Sequence, residues 1–436
     1  MMRRCALRWW SATELLLLAA FSTFSPALAS TGYPCPRGLY VLDSSVGTTN
    51  INGVSMRDAN IRTNACVTGY ALRAGWSDME PAPGQFDFTL IDWNVRRLTV
   101  AGKKLSLLFM NTDPAWLAET PGTTTWFDAS TGVNRLRAVP WDPFLLTRFE
   151  VFLHALAEHT IDGVKFKDHP VLAVVNAGLA GAKLAIRDPS PVLLRTMSNY
   201  SRANLTDAVL RNLRAAVTNF PAQFVQIGFW PITDNQTTPA LWEDLRQAIL
   251  SEFNGVTRPR VGFWMENLSA SRPAPGQDPV TGRPVTSFGG PLYLSQTNTW
   301  ANFQALTSWL RPFNNFDSSV TNATPADGIG YAFTTYGSTY LELYVNDVDA
   351  PGYLNELTSW QARLTAAAPR LQLISSNGAD VTLRWDRAAP VTAVETATHC
   401  AGPFAMVASL TNRLEMTNAA AGSGSRSLFF RVRQPE

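Results

Sequence analysis

Two glutamates stand where an apolar run gives way to a polar one, and a pair of carboxyls is the minimum equipment for cleaving an acetal. Glu266 follows Gly262-Phe263-Trp264-Met265, and Glu342 lies in Tyr340-Leu341-Glu342-Leu343-Tyr344. In hydrolysis of a glycosidic bond one carboxyl protonates the leaving oxygen while the other attacks or activates water, at separations of about 5–5.5 Å or about 6.5–9.5 Å according to stereochemistry. Two aromatics beside Glu266 would raise its pKa by desolvation, as a general acid needs. The same position also suits an ion pair or a cap. Strand alternation puts Tyr340, Glu342 and Tyr344 on one face and Leu341 and Leu343 on the other. In a closed barrel the polar face looks inward, so Glu342 is expected near the mouth with Tyr344 beside it, as a catalyst or as a buried carboxylate paired with Arg73.

Around this pair lie residues suited to holding a sugar. Asp234, in Trp230-Pro231-Ile232-Thr233-Asp234, and Asp347 and Asp349 sit at expected strand ends, where they could bind hydroxyls or serve as ordinary loop residues. The chain has 14 Trp and 23 Phe, enough for a large core or for platforms on which sugar rings stack. Trp116, Trp230 and Trp264 are the stacking candidates, with core packing the alternative. No CxxC or His-x-x-x-His spacing occurs among four His and four Cys, so no zinc-type metal site is expected and no cofactor motif is found.

The N-terminus reads as a processing segment. Arg3, Arg4 and Arg8 precede the apolar stretch from Leu15 to Leu28, and Ala27-Leu28-Ala29 offers small residues where a signal peptidase cuts, so cleavage before Ser30 is expected. The run is short of the roughly 20 apolar residues of a membrane span. Losing three Arg and one Glu from 36 basic and 34 acidic side chains leaves 33 of each. That balance argues against nucleic acid or anionic membrane as the partner and for an uncharged ligand. An exported chain, secreted, periplasmic or at the cell surface, permits disulfides. A Cys35–Cys66 bridge and two free thiols are both open, and Cys400 reads as a small buried hydrophobe.

The elements that must position these residues alternate short apolar runs with helical patterns, the mark of βα units. Strands are expected at 38–42, 68–73, 104–110, 171–176, 224–229, 260–265, 301–307 and 340–345. The seventh could equally begin a helix. Helices are expected at 86–101, where Ile91, Val95 and Leu98 share a face before Gly102, and from Asp142-Pro143, with Leu145, Phe149, Phe152 and Leu156 as the stripe. Further helices precede Phe220, run from Pro239 to Phe253, and carry Tyr353, Leu357, Trp360 and Leu364. The Pro- and Gly-rich loop from Ser271 to Gly290 is long enough to line a site. Eight such units predict a TIM (β/α)8 barrel over 30–367, with an open doubly wound sheet as the rival; no GxGxxG turn follows the first strand to favour the latter. After Pro369 short strands separated by Gly-, Asn- and Ala-rich turns predict a small all-β sandwich over 368–436.

The segment Trp76-Ser77-Asp78-Met79-Glu80-Pro81-Ala82-Pro83-Gly84-Gln85-Phe86-Asp87-Phe88 resembles the Trp-x-x-x-Glu-Pro-x-x-Gly-x-Phe-Asp-Phe stretch after the second strand of barrel glycosidases, such as β-galactosidases of the family 42 type and xylanases. A looser likeness continues through Asp113-Pro114-Ala115-Trp116-Leu117. The resemblance implies a clan A-like glycoside hydrolase barrel, with Trp76 at the rim contacting substrate and Glu80 in a structural ion pair. It also implies an acid/base after Asn176, itself a substrate contact, and a nucleophile ending strand seven. Here those two positions hold Ala177 and Gln304, which supply neither proton nor charge. The tail resembles fibronectin type III-like domains of secreted bacterial enzymes, and its closing Phe429-Phe430-Arg431-Val432-Arg433 is similar to tails in exported proteins of environmental bacteria. Two readings follow: a secreted glycosidase using Glu266 and Glu342 on a poly- or oligosaccharide, or a barrel that binds glycans or serves at the cell surface without catalysis.

Overall fold

Runs of apolar and aromatic residues become strands where both faces can be buried. The computed structural model describes residues 35–42, 63–110, 113–128, 134–177, 191–234, 240–254, 259–275, 289–295, 298–310 and 322–365, together with six strands between 371 and 433. The eight strands are β1 (Gly38–Leu42), β2 (Gly69–Gly75), β3 (Lys104–Met110), β4 (Leu172–Asn176), β5 (Phe224–Gly228), β6 (Val261–Leu268), β7 (Ala301–Ala305) and β8 (Tyr340–Tyr344). Each pairs in parallel with its sequence neighbours, and β8 pairs with β1, so the sheet closes into the eight-stranded barrel expected from the sequence.

Helices pack on the outside. α1 (Thr89–Ala101) buries Ile91, Val95 and Leu98 and stops at Gly102, whose φ of 66° suits glycine and whose N–H caps Leu98 and Thr99. α1 starts three residues later than the pattern suggests. Asp87 donates its N–H to Met79 and its carboxylate accepts from Thr89, which holds Phe86 and Phe88 outside the helix as a stacked pair. α2 (Pro143–Glu158) opens as expected: the Asp142 carboxylate accepts from Phe144 and Leu145, with proline at the first turn. α3 (Arg202–Asn219), α4 (Leu241–Phe253), α5 (Pro325–Tyr336) and α6 (Leu354–Thr365) follow β4, β5, β7 and β8. After β6 the described residues hold only the six-residue helix Gly290–Ser295, and no helix is described between β1 and β2.

The alternatives at strand seven and at the cysteines resolve. Ala301–Ala305 is a strand, fixed by pairing on both sides. Cys35 and Cys66 are free thiols; Cys35 lies against the Thr339 hydroxyl, while burial pushes the Cys66 thiol up to about 11. No helix of the described residues is long and apolar enough to cross a membrane. In the tail, Leu371–Ser376, Val381–Trp385 and Glu415–Asn418 form one antiparallel sheet, and Thr392–Ala397, Ala405–Leu410 and Phe429–Arg433 another. The processing segment, the cleavage point before Ser30, residues 276–288 of the long loop, and Cys400 lie outside the described residues.

Candidate functional site

Pairing register brings the two glutamates to one level of the barrel. Gln304 on β7 is the partner of Glu342 on β8. On the other side of β7 a bulge between Met265 and Leu268 sets Glu266 and Asn267 opposite that same Gln304. Two strand spacings therefore separate Glu266 from Glu342, about 10 Å between backbones. Gln304 stands between them.

Glu342 is fully buried and both its oxygens are engaged. Oε2 is ion-paired with Arg73 of β2, and Oε1 accepts from the Tyr340 hydroxyl at 2.6 Å. Arg73, itself buried, also donates to Gln304 Oε1 at 2.5 Å, and its guanidinium lies over the Trp264 ring, 5.2 Å from the centroid. Tyr340, its proton given to Glu342, accepts in turn from the Ser106 hydroxyl of β3, at 2.7 Å. Burial, reinforced by the Glu342 carboxylate, holds the hydroxyls of Tyr340 and Tyr40 protonated far above the ordinary tyrosine range. Tyr344 is half-buried with its hydroxyl near Gln304 and the Leu306 carbonyl, and burial raises its pKa also. Glu266 is 9% exposed, close to the top of β6.

Below this level the interior stays polar. Asn302 of β7 donates to Gln226 of β5 at 2.8 Å, with β6 between them, and Asn176 at the end of β4 is the register partner of Gln226. Gln226, Asn302 and Ser106 are interior residues that a reading centred on carboxylates and indoles does not single out, and Arg73 enters it only as a possible partner of Glu342. The signal was present: Val225-Gln226-Ile227 and Asn302-Phe303-Gln304 alternate polar with apolar, as Tyr340 to Tyr344 does.

The four tryptophans expected to meet a sugar are otherwise employed. Trp76 is fully buried at the start of a short helix, Trp76–Met79, against Phe149 and Phe152 of α2 at 5.3 and 5.5 Å. Its indole N–H donates to Glu80 at 2.7 Å. Trp230 and Trp264 are 1% and 2% exposed and meet edge to face, 6.0 Å apart, over Gly228, where a Cβ would strike the Trp230 ring. Trp116 is half-buried, donates to the Glu80 carbonyl and carries the Arg148 guanidinium over its ring. None of the three fully buried rings offers a free face, so these positions are corrected from stacking platforms to packing.

Asp234 is likewise corrected. It is fully buried and held by Arg202 through both oxygens, at 2.9 and 2.7 Å, and by the Tyr200 hydroxyl at 2.8 Å, so it is not free to receive a sugar hydroxyl. Glu80 is fully buried in an ion pair with Arg148 and accepts from Gly84 N–H. Asp347 differs from these. One oxygen accepts from Ser308 and from the Trp309 N–H, the other has no hydrogen-bond partner among the described residues, and burial pushes the carboxyl up to about 6. Among the described residues no group of three His, Cys, Asp or Glu side chains is gathered as a metal site would require.

No protein-family model and no curated protein matches the chain. Among solved structures it is similar to the cold-adapted β-galactosidase from Rahnella sp. R3, at 12% identity and TM-score 0.47 over 79% of this chain and 59% of that one. It is also similar to the β-galactosidase from Bacillus circulans sp. alkalophilus, at 11% and 0.45 over 78% and 57%. With endo-glycoceramidase II from Rhodococcus sp. the identity is 11% and the TM-score 0.44, over 92% and 98% of the two chains. This chain thus spans less than two thirds of the length of the two β-galactosidases. The barrel itself is established by its own strand order rather than by these likenesses.

Proposed function

We propose that this chain is an exported carbohydrate-binding barrel, built like a glycoside hydrolase and lacking a working carboxylate pair. The observation that carries this reading is the engagement of Glu342: the carboxylate is fully buried, neutralised by Arg73 on one oxygen and bonded to Tyr340 on the other, so it is held as a structural ion pair away from solvent. Ala177 and Gln304 stand at the positions where the Trp76–Phe88 resemblance implies acid/base and nucleophile. Neither can transfer a proton or carry charge. The carbohydrate part of the reading is supported by that same segment and by the even charge balance, which suits an uncharged ligand. Sites in such barrels lie at the C-terminal ends of the strands, where Glu266, Asn176 and Tyr344 are placed.

The test is calorimetric titration of the exported protein against a panel of poly- and oligosaccharides, run beside a panel of nitrophenyl glycosides. Binding with no turnover is expected; turnover that Glu266→Gln abolishes overturns the reading.

A second reading has its own support. The bulge on β6 sets Glu266 at the level of Glu342, as a carboxyl pair would need. Under it, Glu266→Gln and Glu342→Gln would each lower kcat by orders of magnitude, since acid–base help alone is worth about 10²–10⁴-fold.

A further inference from the structure

A two-stranded hairpin, Thr125–Asp128 with Arg135–Ala138, is inserted between β3 and α2, and so on the C-terminal side of the barrel. Its inner face is fastened. Arg137, 1% exposed, pairs with Asp128 at 2.9 Å and with Asp113, and Trp126 packs beside them at 9% exposure. Arg135 adds a bond to the Asp113 carbonyl at 2.6 Å. The outer face is apolar and open: Phe127 and Leu136, direct cross-strand partners, are 55% and 52% exposed. Directly paired residues on one face stand about 4.5–5.5 Å apart at Cβ, so ring and branched side chain form one continuous surface.

We propose that Phe127 and Leu136 form a stacking platform for one ring of a neutral polysaccharide that extends outward from the barrel mouth; this rests on the carbohydrate-binding reading above. Size selects the occupant. Two half-exposed side chains offer roughly 200 Å² of apolar surface, whereas a stable protein interface needs about 800 Å² from each partner. A single pyranose face matches the smaller figure. Rigidity favours it too, because the buried Arg137 cluster holds the platform in place before any ligand arrives, which lowers the ordering cost of binding. The platform also supplies what the buried indoles cannot, an aromatic face in solvent on the side of the barrel where ligands enter.

The experiment compares wild type, Phe127→Ala, Phe127→Trp and Leu136→Ser by affinity electrophoresis in gels of neutral soluble polysaccharides and by titration with di- and trisaccharides. Phe127→Ala should weaken polymer binding about tenfold, a loss of about 1.4 kcal/mol. Phe127→Trp should restore it, and binding of short oligosaccharides should be unchanged in every variant. Since both side chains are exposed, thermal midpoints should coincide with wild type and establish that the variants are folded. Polymer affinity unchanged in Phe127→Ala overturns the platform while leaving the barrel-mouth reading intact. Loss of short-oligosaccharide binding together with polymer binding overturns it as well. A wild-type chain that no saccharide retards overturns both, and a concentration-dependent dimer abolished by Phe127→Ala assigns the surface to a second copy instead.

Discussion

Replacing Glu342 by glutamine keeps the shape of the side chain and removes its charge. The amide oxygen can still accept from Tyr340, but its NH2 then faces the Arg73 guanidinium, and two donors meet. Arg73 is 6% exposed and would be left as a buried cation whose remaining contacts are neutral, the Gln304 oxygen and the Trp264 face. Removing one partner of a buried pair typically costs about 3–5 kcal/mol, because the surviving charge stays desolvated. For a chain of this size that corresponds to a fall in thermal midpoint on the order of 10 °C. Differential scanning fluorimetry and calorimetry of wild type, Glu342→Gln and the double replacement Arg73→Met with Glu342→Leu measure it. The double replacement should recover most of the loss, since it removes both charges together. A Glu342→Gln midpoint within about 2 °C of wild type would refute the reasoning, because the carboxylate would then not be what holds Arg73.

Asp347 should make stability depend on pH. Its folded pKa of about 6 lies above the ordinary aspartate value of 3.8, so the folded state holds the proton more tightly; this contribution is present in full below about pH 4 and is lost as pH rises through 6. Asp347→Asn should therefore gain on wild type by up to about 3 kcal/mol between pH 4 and 7, and parallel melting curves across that range would contradict it. Glu80→Gln should lower the melting midpoint by several degrees, since Arg148, Trp76 and Gly84 all donate to that carboxylate; an unchanged midpoint would remove its structural role. Intact mass of exported protein should begin at Ser30, and retention of the first 29 residues in exported material would refute the processing step.

The strands were legible because their burial is written locally. Gly38–Leu42 and Lys104–Met110 have the predicted bounds, and the Tyr340–Tyr344 alternation places Glu342 beside the Arg73 named for it. What is not legible is which polar group a residue meets from a distant strand. Asp234 reads as a loop aspartate until Arg202 and Tyr200, more than 30 positions upstream, close on both its oxygens. The indoles mislead for a related reason. A tryptophan over a sugar and a tryptophan in a core have the same flanking residues, and Trp264 is decided by Arg73 from across the barrel. Ala177 and Gln304 were readable in the sequence itself, and the register confirms Gln304 at the level of Glu342.

The amide pair Asn302–Gln226 deep in the barrel has a consequence for how such a chain can change. Branched aliphatic side chains in a barrel interior can be exchanged one at a time, each swap altering only volume. Side-chain amides that answer each other cannot, because a lone change strands its partner's dipole in a dry interior at about 1–3 kcal/mol. Drift at these two positions is therefore channelled into coupled steps, both amides retained or both relinquished. Among relatives of this chain, residues 226 and 302 should change in concert even where the rim around them diverges freely.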